Sequence, residues 1–468
     1  MSDATNDPAF LRMTNIYQRQ REFFLSGQTA SLAFRVAHCK ALKQAVIEYE
    51  PQILAALYQD MRRPGAEAYV SEVALIIKEI DHTVKHLKAW MRPQRVKTSW
   101  MLQPGKSDIH PEPYGNTLII GPWNYPFQLL LSPLIGAIAA GNTAVLKVSE
   151  IAVHSAKVID EMISRYFPPH YIAVVQGGPE ITQTLLDQPF DYLFFTGSVA
   201  VGRVILERVA PRLTPVTLEL GGKSPCIVTA QTDLKTAAKR ICWGKFFNAG
   251  QTCVAPDYLL VEQSVRDKLL IALKETITQF YGREVQQSAD YGRIINLPHF
   301  HRLQRLMANQ TLYVGGDSDV AELYIAPTLL VDVSPQSLIM QEEIFGPLLP
   351  VLTYQSLDEA IHFVRSRAKP LALYLFSECP KTQQRILQET SSGSVNINET
   401  LSQLSSTTLP FGGVGESGMG SYHGEATFRT FSHYKSVLHR SIRFDNSRKY
   451  APYRIPLHYL KKLLRLIG

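Results

Sequence analysis

The sequence is poor in cysteine, lacks a long unbroken apolar run and shows no concentration of charge along most of its length. Its five cysteines, an odd number without paired spacing, argue against a disulfide framework or a zinc ribbon. The longest apolar stretch, 127–140, is interrupted by Gln128, Ser132 and Pro133 and is too short to cross a bilayer. Apart from a C-terminal cluster, the basic residues behind the net charge of +7 are scattered, so no nucleic-acid partner is expected.

Targeting and repeat signals are also missing from the sequence. The first nine residues are polar and acidic and lack the apolar core of a secretory leader. Together with the unpaired cysteines, this predicts a cytoplasmic protein without a bound metal. The chain has no internal repeat, and its 468 residues exceed what one hydrophobic core usually supports, so two or more domains are expected.

The apolar pattern changes along the chain. Helical spacing from about residue 30 to residue 90 predicts a helical opening segment, and loose alternation over 96–114 predicts an extended hairpin. Short strand-like runs then alternate with helical ones, which is typical of parallel sheets with crossover helices. These runs lie at 117–120, 143–146, 172–175 and 192–195, and again at 225–228, 258–261 and 326–331. The pattern predicts two successive α/β units.

One cysteine stands at the end of a small polar turn. The segment from Phe247 to Cys253 reads Phe-Asn-Ala-Gly-Gln-Thr-Cys. At such a turn the sulfur can be exposed among backbone N–H groups that stabilise a thiolate and, later, an oxyanion. A buried and inert cysteine is nevertheless the commoner fate of a single cysteine. The motif alone leaves both interpretations open.

A glutamate lies inside an apolar run, Leu218-Glu219-Leu220, that ends in two glycines. Flanking leucines would keep water from the carboxylate, raise the pKa of Glu219 and suit it to general base catalysis. The alternative is a surface glutamate on an edge strand. The glycine pair favours a close approach of the backbone to another group.

Further candidates follow predicted strands. Asn124, in Gly-Pro-Trp-Asn-Tyr-Pro-Phe, lies where open α/β sheets bind ligands, and its amide can donate to an oxyanion; capping of the next helix is the alternative. Gly197 and Ser198 open a helix and present N–H groups to a phosphate, although the G-x-G-x-x-G pattern is absent. Glu343 and Phe345 precede a Gly-Pro turn, which a solvated loop would explain equally well.

In this order and spacing, the segments resemble the aldehyde dehydrogenase superfamily over about residues 67–437. The ending at 409–420, Leu-Pro-Phe-Gly-Gly-Val-Gly-Glu-Ser-Gly-Met-Gly, is similar to the class 3, fatty aldehyde branch. The resemblance implies an α/β fold with a Rossmann-like cofactor domain, an α/β catalytic domain and a small β oligomerisation element. It also implies a homodimer.

The resemblance assigns chemistry to three residues. It makes Cys253 the nucleophile, Glu219 the general base and Asn124 the oxyanion donor. The thiolate would attack an aldehyde carbon to form a thiohemiacetal, and loss of hydride to the nicotinamide would leave a thioester. Water activated by Glu219 would then hydrolyse this thioester to the carboxylic acid.

The resemblance also implies the cofactor and substrate contacts. Glu150 favours NAD because a carboxylate repels a 2′-phosphate, with NADP as the alternative. Medium- or long-chain and polyene aldehydes are the expected substrates. The implied cofactor residues are Lys147 and Glu150 at the adenosine ribose, Gly197, Ser198 and Gly202 near the pyrophosphate, Glu343 and Phe345 at the nicotinamide ribose, and Trp123. The implied channel residues are Tyr125, Trp243 and Tyr69.

The expected domains are a discontinuous cofactor domain (1–95 and 115–218), a catalytic domain (219–408), a bridging element (96–114 and 409–440) and a basic C-terminal segment (441–468). In that segment Leu457, Leu460, Leu464 and Ile467 share one helical face, which predicts peripheral membrane contact. Packing over the substrate entrance or on a partner is the alternative. An acylating, coenzyme A-dependent relative and a non-catalytic structural member are the rival functions.

Overall fold

A computed structural model describes residues 8–445 and 449–465, which divide into two compact units. The first unit comprises residues 8–90 and 113–433. The second comprises residues 91–112 and the described residues from 434 onward. Ile467, one of the residues predicted on the apolar face of the C-terminal helix, lies outside the described residues.

The elements alternate along most of the chain. The helices are α1 (Pro8–Leu25), α2 (Leu32–Glu48), α3 (Glu50–Met61), α4 (Gly65–Ala68), α5 (Leu75–Trp90), α6 (Gln128–Ala140), α7 (Val153–Tyr166), α8 (Pro179–Leu186), α9 (Val199–Val209), α10 (Leu234–Phe246), α11 (Arg266–Tyr281), α12 (Leu297–Met307), α13 (Leu338–Gln341), α14 (Leu357–Arg365), α15 (Pro380–Glu389), α16 (Glu425–Thr430) and α17 (Leu457–Arg465). The strands are β1 (Gln94–Val96), β2 (Gly105–Pro113), β3 (Asn116–Ile120), β4 (Thr143–Lys147), β5 (Ile172–Val175), β6 (Tyr192–Thr196), β7 (Val216–Glu219), β8 (Pro225–Val228), β9 (Tyr258–Glu262), β10 (Thr311–Val314), β11 (Ser318–Asp319), β12 (Tyr324–Ile325), β13 (Thr328–Val331), β14 (Leu348–Tyr354), β15 (Ala372–Phe376), β16 (Ser394–Ile397), β17 (Gly418–Met419) and β18 (Ser432–Arg440).

A six-stranded sheet contains the first set of predicted strands. Its order is β17-β7-β6-β3-β4-β5, and it is parallel except for β17, which runs antiparallel to β7. Strands β3 to β6 are buried along their whole length, which explains why they are continuous apolar runs in the sequence. The apolar stretch at 127–140 is the buried helix α6.

A seven-stranded sheet contains the second set. Its order is β10-β13-β14-β9-β8-β15-β16, with only β10 antiparallel to its neighbour. Helices that alternate with parallel strands confirm the predicted α/β class.

The helical segment at the start of the chain is longer than predicted, because α1 precedes the residues where it was expected to begin. This helix buries only Met13, Tyr17 and Gln20, so its apolar stripe is narrow.

The second unit is built on a three-stranded sheet in the order β1-β2-β18. Strands β1 and β2 are antiparallel, which confirms the predicted hairpin. Helix α17 confirms the predicted helical C-terminal segment, with Leu457 and Leu460 exposed. Among the described residues, no helix is both long and apolar enough to cross a membrane.

Candidate active site

Three neighbouring strands bring the candidate residues to one edge of the six-stranded sheet. Strands β3, β6 and β7 are parallel neighbours, so their carboxyl ends lie together. Asn124 follows β3, Gly197 follows β6, and Glu219 is the last residue of β7. Glu219 is 2% exposed on a strand with a neighbour on both sides, so the surface, edge-strand alternative is wrong.

These strand ends surround a cavity of about 230 Å³, which we call the polar cavity because Asn124, Thr196, Glu219 and Glu343 line it beside aromatic and aliphatic side chains. Its walls combine residues at the ends of strands in the six-stranded sheet with residues of α12 and of the loops that carry Cys253 and Glu343. The predicted site residues that line it are Trp123, Asn124, Gly197, Ser198, Glu219, Cys253, Glu343 and Phe345.

Cys253 reaches this cavity on a tightly folded loop between α10 and β9. Asn248 and Ala249 have φ values of 54° and 50°, so two successive residues adopt the left-handed conformation. Gly250 also has a positive φ, and a Cβ there would lie 2.2 Å from the carbonyl oxygen of Gly346. Cys253 is half-buried, whereas Cys226 and Cys242 are buried.

A second, apolar cavity of about 170 Å³ meets the polar cavity at Cys253. Tyr125 and Trp243 line it, together with Val70, Leu75, Leu129, Phe247, Leu401 and Leu404. Tyr69 is not among its lining residues, although the next two residues of the chain are. Within the described part of the chain, Cys253 and Leu129 line both cavities.

The site carries acidic groups in an environment with little water. Burial raises the pKa of the Cys253 thiol to about 12, with Glu343 and Glu219 adding to the shift and nearby backbone N–H groups opposing it. Burial also raises the pKa of Glu219 well above its usual range. Neither carboxylate oxygen of Glu219 has a hydrogen-bond partner within residues 8–445 and 449–465. Two unsatisfied buried oxygens point to a ligand or water at this position.

Asn124 is held by the loop that carries Cys253. Its side-chain nitrogen donates to the backbone oxygen of Gln251 at 3.1 Å, and its backbone oxygen accepts from Asn248 Nδ2 at 3.1 Å. An amide carries two N–H donors, so the second is available to a substrate oxygen. Helix α6 has Phe127 at its N-cap and no side-chain cap, so the helix-capping alternative for Asn124 is wrong.

Aromatic and acidic side chains also line the polar cavity. The rings of Trp123 and Phe345 meet edge to face, with centroids 5.3 Å apart, and Trp123 also contacts His299. Burial raises the pKa of Glu343 to about 7, and Asp257 adds to the shift. A carboxyl group with this pKa lies close to its ionisation midpoint at neutral pH.

The phosphate-binding candidates lie on the turn between β6 and α9. Ser198 caps α9 by accepting from the backbone N–H of Val201. The buried hydroxyl of Thr196 lines the polar cavity and has no partner within the described chain. An orphaned hydroxyl beside a helix N-terminus suits an anionic ligand.

The remaining cofactor candidates lie outside the residues that line the polar cavity. Lys147 ends β4, is 2% exposed, and pairs with the exposed Glu150 at 3.1 Å. Gly202 is buried inside α9, where a Cβ would meet the side chain of Leu220 at 2.8 Å. Gly202 therefore allows α9 to pack against the residue that follows Glu219.

Sequence reasoning missed two sets of residues. His299 and Arg302 line the polar cavity from one face of α12, and their i, i+3 spacing was the available signal. The buried ion pair of Arg63 and Glu72 holds the loop of Asn124. No local pattern distinguishes that arginine from a surface residue.

Comparison with known proteins identifies the family. A model of the aldehyde dehydrogenase family matches residues 15–437. The chain belongs to the aldehyde dehydrogenase family. It is 52% identical to the 4,4′-diaponeurosporen-aldehyde dehydrogenase of Staphylococcus aureus, covering 95% of this chain and 97% of the relative. It is 46% identical to aldehyde dehydrogenase family 3 member A2 of Macaca fascicularis, and the match covers 92% of this chain and 89% of the relative.

The fold agrees with this aldehyde dehydrogenase assignment. The solved structure of Staphylococcus aureus AldH in its substrate-bound state superposes with a TM-score of 0.94 at 50% identity, covering 96% of this chain and 99% of that one. The class 3 resemblance, the predicted fold and the predicted enzyme class are therefore confirmed. This aldehyde dehydrogenase is an oxidoreductase that uses NAD or NADP.

Proposed function

We propose that this aldehyde dehydrogenase oxidises apolar aldehydes to carboxylic acids, with Cys253 as nucleophile, Asn124 as oxyanion donor and Glu219 as general base. One observation carries the proposal: Cys253 lies where the apolar cavity meets the polar cavity that contains Asn124 and Glu219. An apolar aldehyde in the first cavity would present its carbonyl to the sulfur, while the polar groups act from the other side.

The residues of the polar cavity fit a dinucleotide cofactor. Thr196 and Glu219 offer buried polar atoms without partners, and Trp123 and Phe345 offer aromatic walls. Bound NAD or NADP supplies the hydride acceptor. The exposed carboxylate of Glu150 beside Lys147 supports NAD over NADP, because it would repel a 2′-phosphate.

The protein residues divide the reaction into two steps. First, the Cys253 thiol releases its proton to solvent water and the thiolate attacks the carbonyl carbon, while the second amide N–H of Asn124 stabilises the oxyanion. After hydride loss leaves a thioester, Glu219 takes a proton from water, and the resulting hydroxide displaces the sulfur. The high pKa of Glu219 makes it a strong base once it is ionised.

Glu219 also separates hydrolysis from the acylating alternative. A buried carboxylate beside Cys253 supports transfer of the acyl group to water instead of coenzyme A. Added coenzyme A should therefore leave steady turnover unchanged and yield no acyl-coenzyme A. Formation of a coenzyme A thioester would favour the acylating alternative.

An aldehyde length series tests the proposed substrate class. The kcat/KM should rise with each methylene that the apolar cavity buries, by up to about 0.8 kcal/mol of binding free energy. Trp243→Ala should reduce this gain for long aldehydes more than for short ones. Trp100→Ala, which alters an exposed tryptophan of the second unit, is the matched control. A kcat/KM that does not change with aldehyde chain length in the unmodified enzyme would contradict an apolar substrate.

We propose domain boundaries that follow these roles. The cofactor domain comprises 1–95 and 115–218, the catalytic domain 219–408, the bridging element 96–114 and 409–440, and the C-terminal segment 441–468. The position of Glu219, at the end of the last long strand of the six-stranded sheet, supports the boundary at 218. The three-stranded sheet supports homodimer formation through the bridging element, which sedimentation velocity can test.

We further propose peripheral membrane contact through α17. Leu457 and Leu460 are exposed on this helix, and Lys461 and Arg465 provide cationic groups for an anionic surface. Co-sedimentation with anionic and neutral vesicles, with and without residues 455–468, tests this contact. Equal binding by both forms would contradict it. Cytoplasmic location stays a prediction, supported by the five unpaired cysteines.

A further inference from the structure

Two histidines and an aspartate converge on the three-stranded sheet of the second unit. One ring nitrogen or carboxylate oxygen from each of Asp108, His110 and His439 lies within 4.8 Å of the others. Among the described residues, no other group of three His, Cys, Asp or Glu side chains brings its ligand atoms this close together. The cluster contains none of the residues assigned above to aldehyde oxidation.

The backbone holds all three side chains on one face of the sheet. Asp108 and His110 are two residues apart on β2, so both point to the same side. Lys435 pairs with Glu112, while His439, four residues further along β18, pairs with Asp108, four residues back along β2. The two strands are therefore antiparallel. The His439 side chain therefore reaches the side chains of Asp108 and His110 from the neighbouring strand.

The spacing suits a small cation. His439 Nε2 lies 3.6 Å from Asp108 Oδ2. Metal–ligand bonds of about 2.0–2.1 Å in a tetrahedral zinc site place two ligand atoms about 3.3 Å apart. Rotation of the His110 or His439 side chain would bring the three ligand atoms to this spacing. The exposed fractions, 60% for the His439 side chain and 22% for Asp108, leave space for that rotation.

The ligand types select the class of ion. Two imidazoles and one carboxylate match the three-ligand sets of zinc sites, which keep a fourth position for water. Arg95 is the cross-strand neighbour of Asp108 on β1, so the side chain of Arg95 lies on the same face of the sheet as the cluster. We propose that Asp108, His110 and His439 bind a divalent transition-metal ion, with Zn²⁺ as the ion of choice, and that this ion links β2 to β18.

This site differs from the expectation drawn from the sequence, which was that no metal is bound. That expectation came from cysteine spacing, whereas the proposed ligands are imidazole and carboxylate groups. His439 is far along the chain from Asp108 and His110, so no compact ligand motif exists in the sequence. Only the pairing of β2 with β18 brings the three together.

Zinc binding by the chelator-treated full chain tests the proposal. Cys253→Ala is introduced into every sample, because an active-site thiol could itself bind Zn²⁺. Equilibrium dialysis against ZnCl₂ should find about one ion per chain, and His110→Ala or His439→Ala should weaken its affinity at least about tenfold. His362→Ala removes an exposed histidine outside the cluster and should leave binding unchanged.

A second measurement, of melting temperature, distinguishes loss of metal binding from loss of structure in a variant. Zn²⁺ should raise the melting temperature of the Cys253→Ala chain but not of the chain that also carries His439→Ala. Melting temperatures without metal should agree between the two, because His439 is exposed. Absence of bound zinc in the Cys253→Ala chain, or equal affinity after loss of either histidine, would overturn the proposal.

Discussion

Arg63 and Glu72 form an ion pair in which Nη1 and Oε1 are 2.7 Å apart and both side chains are 0% exposed. The guanidinium also donates to the backbone oxygen of Asn124 and to Asn248 Oδ1. The carboxylate accepts two backbone N–H groups at the start of α6, including that of Gln128. One buried pair thus holds the loop that carries the proposed oxyanion donor, both at Asn124 itself and at the end where α6 begins.

Glu72→Gln should destabilise the protein by about 3–5 kcal/mol, because it leaves the Arg63 charge buried without its partner. The free energy of unfolding can be measured by urea denaturation. Asp81→Asn is the matched control, since Lys43 and Asp81 are also 2.7 Å apart but their side chains are 31% and 58% exposed. Its effect should stay within about 1 kcal/mol. Equal losses from both changes would contradict the role of burial.

Glu219→Gln should separate the two proposed steps. The thioester should still form, giving one burst of reduced cofactor, while its hydrolysis slows by about 10²–10⁴-fold. Stopped-flow absorbance measures the burst and the steady rate together. Glu79→Gln changes another buried glutamate of raised pKa, outside both active-site cavities, and serves as the control. Undiminished steady turnover in Glu219→Gln would remove its assignment as the base.

Asn124→Ala should lower kcat by about 10²–10³-fold, because loss of one oxyanion donor removes stabilisation that develops only in the transition state. KM should change little. Steady-state kinetics with a saturating cofactor measure both parameters. A large rise in KM with kcat retained would instead indicate that Asn124 binds the ground state of the aldehyde.

Aldehyde oxidation should accelerate as the pH rises from about 6 to about 9. The pKa of Cys253 is raised to about 12, and that of Glu219 is raised well above its usual range. A raised pKa keeps each acid protonated at neutral pH, whereas the proposed steps need the thiolate and the carboxylate. Higher pH therefore increases the reactive forms. Initial rates across this interval check the direction, and a decline with pH would contradict it.

Local sequence patterns were sufficient for much of the fold. The runs at 117–120 and 143–146 are buried parallel strands, whose two covered faces require apolar residues at every position. The α1 helix escaped detection because its buried stripe is narrow and includes the polar Gln20. The Arg63 and Glu72 pair escaped because nothing in a local window shows that a charge will be buried.

Residue types at short, fixed spacing were enough to predict the α/β class, the candidate segments and the family. The folded chain was needed to show that Cys253 lines both the polar and the apolar cavity, and that Asn124 and Glu219 share the polar cavity. These groups are far apart along the chain. Their meeting depends on the order of β3, β6 and β7 in the sheet and on a left-handed turn at Asn248 and Ala249.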